Sequence, residues 1–416
     1  MEVAKAEIYS KDLTLSEWHI ITCEFPPQIG GVGDYSFVIA KELARSGDEV
    51  HVWCGAAADE APECPGVSVH RVMGGFTPRD LWRAGKLMDE FPGPRRLFVQ
   101  WVPHGYGYRA MNISFCMWIW LRARLKHDQV QIMFHEVWLS FGINWKANIA
   151  AAAHRVMIAL LKRAAAKIWI SGEAWRKFLP GAAAPIGWLP VPSNITPETS
   201  LDRIREVRVR CQAGNAQLIG HFGIGNLLVE NLLHATVPAI LQASPAALFL
   251  LIGKGGEKLA MEMHRRYPDL SQRVLFTGVL PSSEISTCIA ACDLLIQPYV
   301  DGISTRRTAA MAVLASGRPL LTTSGHSTEP FWRESGKLAI VPAQDTEAFT
   351  ARAIQLLKNK SERERMACAG KELYRAVFDV TVSTQILRGE REPWTAELLT
   401  HSMAELIPAA QLTETA

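Results

Sequence analysis

The sequence predicts an α/β fold made of two Rossmann-like domains facing each other across a cleft. Three observations predict it. Short, continuously apolar β-rich runs alternate with helical patterns; a proline-rich stretch interrupts the alternation near mid-chain, after which it restarts; and each half carries a glycine-bearing loop after its first strand. Length agrees, because 416 residues exceed what one core holds and ~150 residues per domain implies two to three domains.

The first strand is read at Trp18–Cys23, and a loop through Gly30-Gly31-Val32-Gly33 leads into a helix that Asp34 can cap and Gly47 can end. Glu49–Trp53 completes a β-loop-α-β unit. Further strands are read at Leu97–Gln100, Gln131–Phe134 and Lys167–Ile170, with an alanine-rich helix from Lys146 to Ala166, and Ile113–Leu121 reads as a core or interfacial helix. Apolar strands separated by helices argue for a parallel sheet covered on both faces. The segment Leu189–Pro197 is proline-rich and non-periodic, which sets the domains at 1–192 and 193–380. In the second domain strands are read at Leu218–His221, Ala247–Ile252, Arg273–Phe276, Asp293–Gln297 and Pro319–Thr323. Residues 381–416 read as a helical tail packing back on the N-terminal domain, frayed from Ala409 onward.

Composition narrows the function classes. Hydrophobic residues make up 48% and charged residues 20%, as in packed globular proteins. The 44 basic and 41 acidic residues leave a net charge of +3, so no global field would hold a polyanion, and nucleic acid is not expected as a partner. Eight cysteines without a CxxC pair read as reduced core thiols, and the first eleven residues contain no apolar leader, so the expected location is cytoplasmic. No HExxH, Walker A loop, GxSxG elbow, spaced Cys/His cluster or Asp-x-Asp pair offers a metal or nucleophile site. Catalysis would rest on fixed cations and dipoles.

Ligands of open α/β sheets bind beyond the carboxyl ends of strands, which selects four loops. Gly30, Gly31 and Gly33 let a phosphate or sugar approach the backbone at a helix start, or serve only to turn the chain. Pro298–Arg307 precedes a helix read at Thr308–Ser316; Ser304 can cap it, and Arg306 and Arg307 run against the dipole preference of a first turn. An anionic ligand would relieve that conflict, as would pairing with nearby acids. His135 ends a strand, followed by Glu136, and is either a ligand donor or a structural histidine. Gly253-Lys254-Gly255-Gly256 holds a nucleotide base or turns the chain.

Phe25–Ser36, Ala40 with Leu43, Gly47–Val50, Leu250–Gly255, Val274–Gly278, Ala290–Leu294, Met311-Ala312 and Gly317–Pro319 follow one another in that order. Through these blocks, over about Trp18–Leu357, the chain resembles the retaining glycosyltransferases of the GT-B architecture, family 4. The resemblance implies metal-independent transfer of a hexose from a nucleotide diphosphate donor, a uridine diphosphate sugar being the family's commonest, with retention of anomeric configuration and no further cofactor. It implies that the C-terminal domain holds the nucleotide and the N-terminal one the acceptor. His135 falls at the family's strand-end histidine, which contacts the donor sugar, and Asp301 at the first glutamate of its two-glutamate motif. Gly302 and Ile303 would offer backbone amides to sugar or phosphate, with Gly30, Gly31, Gly33, Gly223, Gly253 and Ser304 also on the donor side and Asp34, Tyr35 and Glu136 on the acceptor side.

Two positions depart from the family. The second glutamate, which binds ribose, falls at Ala309, and the diphosphate clamp of arginine and lysine is replaced by His221-Phe222-Gly223-Ile224-Gly225-Asn226. Arg306 and Arg307 are the best substitutes for the clamp. The same losses fit a protein that binds a sugar nucleotide or a partner enzyme without transferring anything; an epimerase or phosphorylase on the same frame fits less well. The aromatic and basic content of Trp101–Arg124 and the Lys162-Arg163-Lys167 cluster suits either a lipid-linked acceptor at a membrane face or a solvated helix face, and the solvated face is the simpler expectation.

Overall fold

The computed structural model describes residues 17–28, 30–57, 62–107, 110–138, 141–142, 145–223 and 227–395. The expectations for the first eleven residues and for the chain beyond residue 395 lie outside these, as do Ile29 and Ile224-Gly225-Asn226. The chain divides into two compact units, Met1–Ser171 with Trp175–Gly187, and Gly172–Ala174 with Trp188–Ala416. The sequence reading put the division at residue 192.

The first unit is built on seven strands: β1 (Glu17–Ile21), β2 (Glu49–Trp53), β3 (Val67–His70), β4 (Arg96–Trp101), β5 (Gln129–Phe134), β6 (Lys167–Ile170) and β7 (Ile186–Trp188). Their order is β3-β2-β1-β4-β5-β6-β7, with β1 to β6 paired in parallel. β1 lies between β2 and β4, so the chain winds first to one side of it and then to the other, which opens a crevice at the carboxyl end of β1. Four helices follow their strands: α1 (Gly31–Arg45), α2 (Pro78–Met88), α3 (Ile113–Leu125) and α4 (Trp145–Ala164). Helix α1 starts three residues before the cap expected at Asp34: Gly30 takes the cap position and Asp34 lies in the first turn. Its far end is as expected, with Gly47 in the left-handed region at φ 94°.

The second unit repeats the winding. Its strands are β8 (Leu218–Phe222), β9 (Leu248–Ile252), β10 (Val274–Phe276), β11 (Leu294–Gln297), β12 (Leu320–Ser324) and β13 (Ala339–Pro342), in the order β10-β9-β8-β11-β12-β13 and all parallel. The switch point lies at β8, between β9 and β11. Helices α5 (Leu201–Arg210), α6 (Leu227–Ala243), α7 (Gly256–Arg266), α8 (Ser282–Ala291), α9 (Thr308–Ala315), α10 (Pro330–Glu334), α11 (Thr346–Lys358), α12 (Lys360–Leu373) and α13 (Val380–Arg388) complete it. Phe249, Leu251, Leu294, Ile296 and Leu321 from the sheet pack with Leu233, Val237, Leu259, Phe349 and Leu356 from α6, α7 and α11, which is why these strands read as unbroken apolar runs. The tail is part of this unit up to Thr395, where Trp394 bridges to Trp188.

Candidate functional site

In the first unit the glycine turn is closed by a residue of its own chain. Glu24 Oε1 accepts from the amides of Val32 at 2.9 Å and Gly33 at 3.0 Å, so a carboxylate already sits at the start of α1. That placement explains Gly30: a Cβ there would lie 2.2 Å from the Glu24 carboxyl carbon. A Cβ at Gly31 would meet nothing within 4 Å. Tyr35, expected on the acceptor side, is buried on α1 and stands edge-on to the His135 ring, with centroids 4.7 Å apart. His135 Nε2 donates to Gln100 Oε1 at 3.0 Å, and burial lowers its pKa to about 3. The imidazole is therefore neutral throughout the physiological range. Asp34 and Glu136 are half-buried beside these groups in sequence, Asp34 with its amide bonded to the Gly30 carbonyl at 2.9 Å.

In the second unit the loop after β11 gathers most of the residues expected on the donor side. Asp301 accepts from Arg306 Nη2 at 2.9 Å and from Arg307 Nη2, so the two arginines are held by the acid that the resemblance assigns to the sugar. The Arg307 guanidinium also lies over the Tyr299 ring, 4.5 Å from its centroid, and burial together with Arg306 lowers its pKa. Helix α9 starts with Arg307 at its cap position and no side-chain cap. The cap expected from Ser304 does not form: the loop carries its buried hydroxyl one turn too far back, and the Ser304 carbonyl instead accepts from Arg307 N at 3.1 Å.

Two amides that the resemblance opens to a ligand are engaged within the chain. Gly302 N donates to the Tyr299 carbonyl at 3.1 Å and Ile303 N to the Thr323 carbonyl at 2.8 Å. Gly302, at φ 88°, lies against the turn after β12; a Cβ there would meet Thr328 Oγ1 at 2.1 Å and Gly325 N at 2.2 Å. Only glycine fits both the backbone angle and that contact.

The other donor-side positions converge on the same carboxyl ends. A Cβ on Gly223, after β8, would lie 3.6 Å from the Ala309 Cβ, so the position of the family's ribose carboxylate faces the loop that lacks the clamp. His221 donates from Nδ1 to the Ile296 carbonyl at 2.8 Å, and burial lowers its pKa to about 4, so it supplies no cation in place of that clamp. Gly253, after β9, lies against the Phe222 ring, and its amide donates to Thr277 Oγ1 at 3.0 Å. Around these strand ends three buried polar atoms have no hydrogen-bond partner among the described residues: Gln297 Oε1, Ser304 Oγ and Arg307 Nε. Native proteins leave few such atoms, and each calls for a partner such as water, an ion or a ligand.

One residue of this region was not anticipated. Glu329, 4% exposed, accepts from the Thr305 hydroxyl at 3.0 Å and from Trp332 Nε1 at 3.0 Å, and the Thr305 amide lies 3.3 Å from its second oxygen. Thr305 in turn takes a bond from Trp188 Nε1 at 3.1 Å and gives its carbonyl to Val191 N at 3.0 Å. The residue just before the two arginines is thus anchored on a buried carboxyl group whose pKa desolvation raises to about 7. No spacing in the sequence marks Glu329, which lies 24 residues from its partner.

Residues 218–359, about a third of the chain, match the family described as Glycosyl transferases group 1. The chain is similar to a phosphatidyl-myo-inositol mannosyltransferase of Mycobacterium leprae, 24% identical over 152 residues that cover 36% of this chain and 40% of that protein. It is also similar to a GDP-mannose-dependent monoacylated alpha-(1-6)-phosphatidylinositol monomannoside mannosyltransferase of Corynebacterium glutamicum, 26% identical over 168 residues that cover 38% of this chain and 41% of that protein. The chain thus spans about two fifths of the length of these curated relatives. Among solved structures, sucrose-phosphate synthase from Thermosynechococcus elongatus superposes with a TM-score of 0.69 at 16% identity, covering 90% of this chain and 98% of that one. HepE of Anabaena in complex with UDP superposes with a TM-score of 0.64 at 15% identity, covering 90% and 99%. The fold is that of the GT-B proteins, and the match to group 1 glycosyl transferases lies in the second unit, over the strands and loops that gather the unpartnered polar atoms.

Proposed function

We propose that this protein is a retaining glycosyltransferase of family 4, of the hexosyltransferase type, moving a sugar from a nucleotide diphosphate donor to an acceptor hydroxyl without a metal ion. The observation that carries the reading is the group of unpartnered buried polar atoms at the carboxyl end of β11 and in the loop after it, inside the segment that matches group 1 glycosyl transferases. Breaking the bond between sugar and diphosphate develops negative charge on the leaving phosphate, and fixed donors in a dry site are the strongest way to stabilise it. Arg306 and Arg307 are the donors at hand. Asp301 holds both forks in place, and its carboxylate oxygens keep lone pairs for sugar hydroxyls. Arg307 Nε remains to meet a phosphate oxygen.

On this reading His135 acts as a neutral hydrogen-bonding group to the donor sugar, because burial prevents its protonation. A uridine diphosphate sugar is the first donor to test, and GDP-mannose the second, since the corynebacterial relative is named for it. The test is nucleotide release from a panel of both donors, with product anomers assigned by NMR. Arg306→Ala and Arg307→Ala are each expected to lower turnover by roughly a hundredfold, the usual loss on removing one donor to developing charge. Near-normal turnover in both variants would sink the proposal, and an inverted product would remove the retaining mechanism.

One observation favours a second reading, a protein that binds sugar nucleotides without transferring sugar: Ala309 offers no acceptor for ribose, and the Gly302 and Ile303 amides are engaged internally. Saturable binding of a donor with no nucleotide release, with or without added acceptors, would establish it.

A further inference from the structure

Helix α3 carries apolar residues on its outer face as well as its buried one. Phe115, Cys116 and Ile119 are buried against the first unit's core, while Ile113, Met117, Leu121 and Leu125 recur every fourth residue on the opposite face and are exposed, Leu125 at 69%. A helix with apolar residues on its outer face is normally covered by something. Across from this stripe, α2 presents Trp82, 61% exposed, and the two helices enclose an open groove of about 480 Å³.

Cations outnumber acids around the groove, whose lining carries Lys86, Arg122 and Lys126 against Asp89. Exposed cations lie along both helices: Arg79, Arg83 and Lys86 on α2, then Arg124 at the end of α3 and Lys126 just after it. Helix α3 contains no acid. The acids of α2 and its C-cap are tied up. Asp80 closes the capping box with Thr77, and Asp89 sits within ion-pair distance of Arg95, Arg122 and Lys126 at 3.5, 3.0 and 2.8 Å. Lys86 Nζ lies 3.9 Å from the Trp82 ring centroid, an arrangement in which an aromatic ring and its cation reach the same surface together.

We propose that the α2–α3 face is a membrane-docking surface, which seats Trp82 and the α3 stripe in the interface of an anionic bilayer while the flanking lysines and arginines meet the lipid headgroups. An apolar helix stripe beside an exposed tryptophan, with a cationic rim, has the features that hold an amphipathic surface at that depth. A neutral protein partner would use the apolar stripe but not the rim; the excess of cations selects the anionic surface. The proposal does not depend on the transfer chemistry, since docking is measured without donor or acceptor.

The test is sedimentation of the full-length protein with vesicles of phosphatidylglycerol or of phosphatidylcholine, over a range of salt. Binding to phosphatidylglycerol is expected, with release as salt rises and little binding to phosphatidylcholine. The double variant Trp82→Ser, Leu125→Ser alters only exposed side chains and should lose binding while keeping the wild-type melting temperature. Arg83→Gln, Lys86→Gln and Arg124→Gln should each weaken binding about fivefold, the effect of one basic residue near an anionic surface. Equal, salt-independent binding to both vesicle types overturns the proposal, as does no binding to either. It is also overturned if light scattering finds a dimer that the double variant dissociates, because the face would then belong to a second copy.

Discussion

Each unit has a glycine-bearing loop at the carboxyl end of a strand near its switch point, after β1 in the first and after β11, the neighbour of the switch strand, in the second, and the two loops use glycine for opposite reasons. In the loop after β11, Gly302 is demanded by packing: its φ is 88° and the turn after β12 lies where a side chain would go. In the turn after β1, Gly31 is demanded by nothing in the fold, since its surroundings are open and its backbone is helical. Charge is arranged oppositely as well. The first loop supplies an anion, Glu24, to a helix start, whereas the second brings two cations to one and balances them with Asp301. A glycine in a strand-to-helix turn is therefore a weak sign of ligand binding until its own contacts are known.

The largest effect separates the two loops on stability. Gly302→Ala should destabilise the second unit by on the order of 3–5 kcal/mol, because the backbone angle disfavours alanine and the Cβ would overlap Gly325 backbone atoms that cannot move aside. Differential scanning calorimetry measures it directly. A loss below about 1 kcal/mol would mean that the two loops part easily, and would remove packing as the reason for this glycine.

Next in size is a pH effect from the anchor of the second loop. Glu329 has a folded pKa of about 7 against an ordinary 4.5, so between those values the folded protein holds a proton that the unfolded chain has released. Stability then falls as pH rises through that window, by at most about 3 kcal/mol. Glu329→Gln cannot ionise and should lack this slope, so the stability difference between variant and wild type should move in the variant's favour from pH 5 to pH 8. Urea unfolding at several pH values tests the sign. A difference that stays constant with pH would show that the carboxyl group does not titrate in this range. The carboxylate of the first loop is placed differently: Glu24 is half-buried and accepts from the Val32 and Gly33 amides.

The same comparison shows what a reader of the sequence could and could not see. Strands with apolar residues on both faces were legible to within two residues, β2 and β6 at both ends, because burial on two sides leaves an unbroken run. Edge strand β3 was missed, since Val67–His70 is half-exposed and alternates with no clear face. Helix α2 was missed although Thr77-Pro78-Arg79-Asp80 spells its capping box. In the candidate site, the grouping of Asp301, Arg306 and Arg307 followed from their closeness in sequence, but their pairing did not, because it depends on how the loop folds over Tyr299. Glu24 and Glu329 were invisible for a related reason: each acts on a backbone segment that only the fold brings near.

The smallest expected change in stability is the most informative about function. Gly31 is the first residue of α1, and alanine there meets no neighbour within 4 Å and no unfavourable backbone angle. Gly31→Ala should leave folding unchanged or raise stability by up to about 1 kcal/mol, since alanine loses less freedom than glycine on entering a helix. If the open space in front of this residue is where a substrate approaches the backbone, the added methyl group should lower turnover at least tenfold with the melting temperature intact. Loss of activity without loss of stability would assign the glycine to the substrate. Unchanged activity would leave it as a residue that neither the fold nor the ligand requires, and would confine the ligand-binding role of the glycine loops to the second unit.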